Sequence, residues 1–65
     1  MTGLPYRLGR ASGEQAWYAC RDEDAPKPFP TRSGIAWSSP VMEWEWIRGF
    51  LDGWDWAKGA GNGNP

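Results

Sequence analysis

The sequence predicts an all-α fold: a small two-helix hairpin with a proline-rich connector and a tryptophan-rich core. Three observations predict it. The chain has 65 residues, which is enough for one domain but not for two. Two segments carry helix-start patterns, and prolines interrupt the chain between them. Six residues are tryptophan, and because each buries a large area, a few of them can form the core of so short a chain.

The amino terminus is predicted to be a flexible arm over residues 1–11, because it contains two glycines and a proline; a helical turn after Pro5 is the alternative within it. A capping box then begins at Ser12, with Gln15 three residues later, and predicts a helix over about 13–23. Pro26 sets its end, because the residue before a proline is disfavoured in α-helix. One face of this helix carries mostly small side chains, which allow a second helix to approach closely.

Residues 26–39 are predicted to connect the helices, because prolines and a glycine in this stretch prevent regular helix. Two functions fit the segment. It could be an extended ligand for an aromatic-lined groove on another protein. The interpretation that we favour is a connector whose Phe29, Ile35 and Trp37 lie over the core.

The second helix is predicted over about 40–57. Ser39 is a good N-cap, and Pro40 suits the first helical position. Gly59 is placed to cap the carboxyl end. The glycine-rich residues 59–65 are predicted to be a disordered tail.

Glycines within the second helix predict how the two helices meet. Gly49 and Gly53 project the same way, and their cost inside a helix is explained if the first helix packs closely against them. The charged residues of this helix form one narrow stripe, in which Arg48 can pair with Asp52. The remaining apolar arc is wider than one short helix covers, so we expect a second copy or another macromolecule to cover it. The residues predicted to pack between the helices are Gly13, Ala16, Trp17, Gly49, Phe50, Gly53, Trp54 and Ala57.

Residue counts exclude several classes of protein. Cys20 is the only cysteine and there is no histidine, so an intrachain disulfide, the usual zinc site and a histidine-based catalytic pair are all excluded. No phosphate-binding glycine loop is present. We therefore predict a protein that is not an enzyme and that uses no metal or cofactor. A small chain without a disulfide or a structural metal requires a dense core or a partner chain to be stable.

Charge and hydropathy reduce the number of candidate partners and cellular compartments. The net charge is −1, whereas compact nucleic-acid binders are usually basic. No apolar run is long enough to cross a bilayer, and the first residues lack the apolar segment of a secretory signal. A single cysteine also suits a reducing compartment. We expect a cytoplasmic protein that has no membrane partner.

Short motifs resemble the ribosome modulation factor family and its small plasmid and phage relatives. Residues 13–16 match a Gly-x-x-Ala element, residues 28–30 match a Pro-aromatic turn, and residues 50–57 match the aromatic-x-x-Gly-aromatic-x-x-Ala signature. The alternative register at residues 46–50 fits that signature too. The resemblance implies two packed helices and a cytoplasmic protein that binds the ribosome and shuts down translation. The residues expected to contact rRNA phosphate are then Arg7, Arg10, Arg21 and Arg32.

Two functional hypotheses follow. The first is a non-enzymatic, ribosome-associated translation regulator. The alternative is a protein–protein effector, for example a phage- or plasmid-encoded inhibitor of a host protein, or a subunit that assembles with itself. Tryptophan is strongly enriched at binding hot spots. The residues predicted to form such a partner-binding face are Trp37, Trp44, Trp46 and Trp56.

Overall fold

The computed structural model describes residues 3–61, and two α-helices dominate that part of the chain. Helix α1 spans Leu4–Cys20 and helix α2 spans Pro40–Gly61. Residues 21–39 join them without regular helix or strand. The prediction of an all-α fold, with two packed helices and a proline-rich connector, is confirmed. Neither helix is long and apolar enough to span a membrane.

Helix α1 begins much earlier than predicted. The predicted arm over 1–11 is wrong from Leu4 onward, whereas residues 1 and 2 lie outside the described part of the chain. Pro5 falls in the first turn, where its fixed φ angle and missing N–H favour a helix start. Ser12 therefore lies inside the helix and does not cap it, although its local sequence is typical of a cap.

Helix α1 also ends earlier than the predicted residue 23. Arg21 adopts the left-handed conformation, with a φ of 52°, and its N–H donates to the Trp17 carbonyl at 2.7 Å. This is a common way to terminate a helix. Immediately afterwards the Asp24 amide donates to the Asp22 side chain at 3.0 Å, which holds a turn in place of further helix.

Helix α2 starts where the sequence predicts. The Val41 amide donates to the Ser39 hydroxyl at 3.2 Å, so Ser39 acts as the N-cap. The helix continues past the predicted residue 57 to Gly61. Gly59 consequently lies inside the helix and does not cap it. Residues 62–65 of the predicted tail lie outside the described residues.

The two helices run in the same direction. Gly9 faces the backbone of Trp46 and Phe50, and Gly13 faces that of Phe50 and Trp54. Residues further along α1 therefore face residues further along α2. The chain therefore reverses direction twice, once after α1 and once before α2, so that α2 lies parallel to α1.

The connector returns along α2. Helix α1 is about 26 Å long, and the chain has to retrace that length before α2 begins. Its prolines favour extended backbone, which rises about 3.1 Å per residue. Lys27 Nζ contacts Asp55 Oδ2 at 2.6 Å, whereas Ser33 binds Glu43. The connector thus runs antiparallel to α2, from near its carboxyl end towards its start.

Glycine allows the two helix backbones to touch. A Cβ atom on Gly9 or Gly13 would overlap a backbone carbonyl oxygen of α2. Conversely, a Cβ on Gly49 or Gly53 would overlap a carbonyl oxygen of α1. The prediction that the glycines of α2 serve close packing is confirmed, and Gly9 joins the predicted set. At such separations Cα–H groups can also contact carbonyl oxygens favourably.

The core at this seam is rich in tryptophan, as predicted. Trp17 and Trp54 pack edge to face, with ring centroids 5.3 Å apart, and Ala57 is fully buried beside them. Ala16 packs against this cluster, and the half-buried Phe50 contacts the buried ring of Trp46. The backbone spans 13 Å along its shortest axis, against 38 and 24 Å along the other two, so the fold is flat. So thin a fold leaves many large side chains partly uncovered.

Candidate functional site

The tryptophans divide into a buried group and an exposed group. Trp44 and Trp56 are 68% and 53% exposed, and Trp37 is half-buried. Trp46, which was predicted to face a partner, is only 8% exposed, so its assignment to that surface is wrong. It lies on the same side of α2 as Gly49, where α1 packs.

The other three tryptophans do not form one face. Trp44 and Trp56 are separated by about 18 Å along α2 and by roughly 120° around it. The Trp56 ring lies beneath the Arg10 guanidinium, 5.6 Å from its centroid. Trp37 lies in the connector, and its Nε1–H donates to the Ser33 hydroxyl at 2.8 Å. Each exposed tryptophan therefore belongs to a different local environment.

Trp44 lies at an open groove between α2 and the connector, which we call the aromatic groove. It has a volume of about 470 Å³. Phe29, Val41 and Trp44 are exposed by 69%, 61% and 68%, so they are the most exposed apolar side chains of this groove. The lining residues are Phe29, Val41, Trp44, Glu45, Ile47, Arg48 and Leu51.

Two local features of the sequence build the aromatic groove. Trp44 is roughly 180° around α2 from Gly53, so α1 cannot cover it. The flanking prolines favour extended backbone at Phe29, which stands at the edge of the groove and not over the core as predicted. Ile35 is likewise 43% exposed, so that part of the same prediction is also wrong. The apolar width of α2 did indicate an uncovered face, but only the path of the connector shows that Phe29 joins it.

A hydrogen-bonded hub fastens the connector near the start of α2. The Ser33 hydroxyl donates to a Glu43 carboxylate oxygen at 3.0 Å, and the Ser33 amide binds the same carboxylate. The hydroxyl oxygen in turn accepts from the Ile35 amide and from Trp37. Glu43 also lies in the first turn of α2, where a negative charge is favourable. The hub and the Lys27–Asp55 pair hold the two ends of the segment that carries Phe29.

On the side of the helix pair where Trp56 lies, the Tyr6 hydroxyl donates to Asp52 Oδ2 at 2.6 Å. This hydrogen bond to a carboxylate, together with some burial, raises the pKa of Tyr6 above its ordinary value. Asp52 is bound to Tyr6, and the predicted Arg48–Asp52 ion pair does not form among the described residues. Within residues 3–61, Arg48 and Glu45 have no ion-pair or hydrogen-bond partner.

The arginines predicted to contact phosphate are not brought into one patch. Arg7 and Arg21 are about 21 Å apart along α1. Arg10 is paired with Glu14 at 3.5 Å, and Arg32 lies in the connector. Cationic charge is therefore distributed over the surface and does not converge on one site.

Comparison with protein-family models, with curated proteins and with solved structures finds no match for this chain. The resemblance to the ribosome modulation factor family therefore stays a prediction from short motifs. Within residues 3–61, no three Cys, Asp or Glu side chains are grouped so as to hold a metal ion. The aromatic groove is thus the feature from which a function can be argued.

Proposed function

We propose that this chain is a small, non-enzymatic binding protein that acts through protein–protein contact at the aromatic groove. The observation that carries the proposal is the convergence of three large apolar side chains, Phe29, Val41 and Trp44, each more than 60% exposed. Single exposed apolar residues are normal on protein surfaces, whereas clusters of them mark interaction sites.

The groove could supply a useful binding energy. An aromatic side chain buries on the order of 200 Å², and about two thirds of that area is still available at both Phe29 and Trp44. At about 25 cal/mol per Å², covering each of them contributes about 3 kcal/mol before the costs of association. The Ser33–Glu43 hydrogen bonds, and to a smaller degree the exposed Lys27–Asp55 pair, restrict the connector beside the groove, which lowers the cost of ordering it.

The polar lining suits docking better than catalysis. Glu45 and Arg48 are the only ionisable residues that line the groove, and neither a thiol nor a hydroxyl group stands beside them. The chain also has no histidine to act as a general base at neutral pH. These groups can fix the orientation of a bound partner by charge.

The alternative proposal is a ribosome-associated translation regulator, in which arginines bind rRNA phosphate. Its support is the motif resemblance, while the spacing of the arginines and the net charge of −1 favour docking on protein. For either function we propose a cytoplasmic location, because the thiol of Cys20 is exposed and persists most easily in a reducing compartment.

Quantitative affinity capture tests the proposal. The tagged chain, its Trp44→Ala variant and its Trp56→Ala variant are each incubated at low and moderate salt with bacterial lysate that also contains the untagged chain, so that a second copy is captured as well as any other protein. The bound proteins are measured by mass spectrometry. We expect a protein that is retained at both salt concentrations, is lost with Trp44→Ala and is kept with Trp56→Ala, the matched exposed tryptophan outside the groove.

Two results would argue otherwise. Capture that Trp44→Ala leaves unchanged would rule out the groove as the docking surface. The ribosomal alternative would be favoured if ribosomal proteins are recovered at low salt, are lost at moderate salt and are recovered equally well by the Trp44→Ala variant. Phosphate contacts weaken steeply with salt.

A further inference from the structure

We infer that the protein that occupies the aromatic groove is a second copy of this chain, with the two α2 helices packed antiparallel about a two-fold axis near residue 46. The inference rests on the proposed docking function of the groove and names its partner. It is carried by the charge pattern of the groove rim, by the order of its apolar residues and by the direction of the helices.

The charges on the rim are complementary to themselves. Glu45 and Arg48 lie about one turn apart on α2, and neither has an ion-pair partner among residues 3–61. A two-fold interface brings residue i of one copy to residue j of the other, and j to i. With α2 reversed in the second copy, each Glu45 therefore faces the Arg48 of the other copy, and the interface contains two equivalent ion pairs.

The apolar lining obeys the same symmetry. Val41 and Leu51 have their midpoint at residue 46, within half a residue of the midpoint between Glu45 and Arg48. The register that pairs the charges thus also places Val41 of one copy beside Leu51 of the other. It brings the ring of Trp44 next to the Arg48 of the second copy, where a guanidinium can stack on the indole.

The parallel direction of α1 and α2 adds a second reason for a reversed copy. Within one copy, the positive ends of both helix dipoles lie together, and so do the negative ends. A second copy related by the two-fold axis places helices of opposite direction alongside them. The macrodipoles of the two copies then offset each other, although solvent and salt screen the effect.

The composition of the chain and the size of the groove determine the affinity that we expect for the dimer. Only five hydrophobic side chains are buried among residues 3–59, and the chain cannot form an intrachain disulfide, so association with a second copy adds apolar burial that this small core lacks. With a net charge of −1, electrostatic repulsion between two copies is small. Yet the exposed area of Phe29 and Trp44 is only about 270 Å², against about 800 Å² per partner in a standard interface. We therefore expect a reversible dimer in the micromolar range or weaker.

Charge exchange at the rim tests this arrangement. Sedimentation equilibrium from about 1 µM to about 1 mM is expected to show a mass that rises from 7.3 kDa towards twice that value. Glu45→Arg alone and Arg48→Glu alone each place like charges opposite each other, and each is expected to weaken self-association at least about tenfold. An equimolar mixture of the two single variants restores both ion pairs and is expected to associate, as is the double variant.

The controls separate association from folding. Within residues 3–61 neither Glu45 nor Arg48 has an ion-pair or hydrogen-bond partner, and Glu45 Oε1 lies close to Gly3 at the start of α1. The single variants are expected to keep the far-ultraviolet circular dichroism of the unchanged protein, which is measured for each of them. Trp44→Ala is expected to weaken the dimer and Trp56→Ala to leave it unchanged.

Each contrary outcome has a definite meaning. A chain that stays monomeric up to about 1 mM overturns the inference, while Trp44-dependent capture of a different protein would still support the proposed function. If neither Glu45→Arg nor Arg48→Glu changes the dissociation constant of the dimer, the antiparallel arrangement is overturned. If Trp44→Ala alters neither self-association nor capture, the docking function of the groove falls as well.

Discussion

The two sides of α2 use opposite means of making contact. On the side towards α1, Gly49 and Gly53 bring backbone against backbone, and a single added methyl group would collide with a carbonyl oxygen. On the side away from α1, Trp44 and Val41 stand more than 60% exposed beside an open groove. One side is closed within the chain, whereas the other leaves its apolar area available to a partner.

This contrast shows that the number of apolar residues in a helix does not identify its core. Trp46 and Trp44 are two positions apart, yet only Trp46 is buried. The deciding factor is the position of the glycines, because they determine which side of α2 meets α1. Large side chains on the other side have no cover within the chain.

Alanine substitutions at two tryptophans of α2 give the largest expected difference. Trp54 is 3% exposed and packs on Trp17, so Trp54→Ala is expected to cost about 3–5 kcal/mol, which is comparable to the whole stability of so small a domain. Trp44→Ala is expected to change the free energy of unfolding by less than about 0.5 kcal/mol. Urea denaturation followed by tryptophan fluorescence at about 0.1 µM, an order of magnitude below the expected dissociation constant of the dimer, measures both. Equal losses would mean that the two sides do not differ as described.

Glycine substitutions test the closed side directly. A Cβ on Gly13 would overlap the Phe50 carbonyl, so Gly13→Ala is expected to separate the helices and to cost about 1–3 kcal/mol. Gly59 also lies in α2, and a Cβ there meets no atom within 4 Å. Gly59→Ala is therefore expected to leave stability unchanged or to raise it by up to about 1 kcal/mol. Thermal unfolding followed by circular dichroism compares them, and a stable Gly13→Ala protein would contradict the close approach.

The smallest expected effect is a pH dependence at the Tyr6–Asp52 hydrogen bond. Because the folded state raises the pKa of Tyr6, this group stabilises the fold below about pH 10, and the contribution is lost as the pH rises through the folded-state value. Urea denaturation between about pH 8 and pH 11 is expected to show a steeper fall in stability for the unchanged protein than for Tyr6→Phe. Parallel profiles would show that the hydrogen bond has no influence on folding.

Local signals in the sequence predicted those features that depend on local physics. Ser39 and Pro40 fixed the start of α2, because a cap requires only its neighbours. At Ser12 the same type of signal misled, since Gly9 and Gly13 look unfavourable in a helix until the backbone of α2 is in contact with them. The start of α1 is thus decided by tertiary packing.

The aromatic groove was predictable only in part. The apolar width of α2 indicated a face that one helix could not cover, and the exposed Trp44 confirms it. The presence of Phe29 at that face depends on the return path of the connector, which no periodicity encodes. The direction of α2 is equally hidden, because a helix has the same spacing of apolar residues whether it runs up or down its neighbour.

The parallel direction of the helices has a consequence for how the chain folds. In an antiparallel pair with a short turn, contacts next to the turn form first and the rest close outward, each step enclosing a small loop. Here the backbone contacts of the glycines and the Trp17–Trp54 contact join residues that are 37 to 43 positions apart. The first contact must therefore close a loop that holds more than half of the chain. Such a topology is expected to fold more slowly than an antiparallel hairpin of equal length. Both helices must dock in a single cooperative step, because no smaller set of contacts can form first.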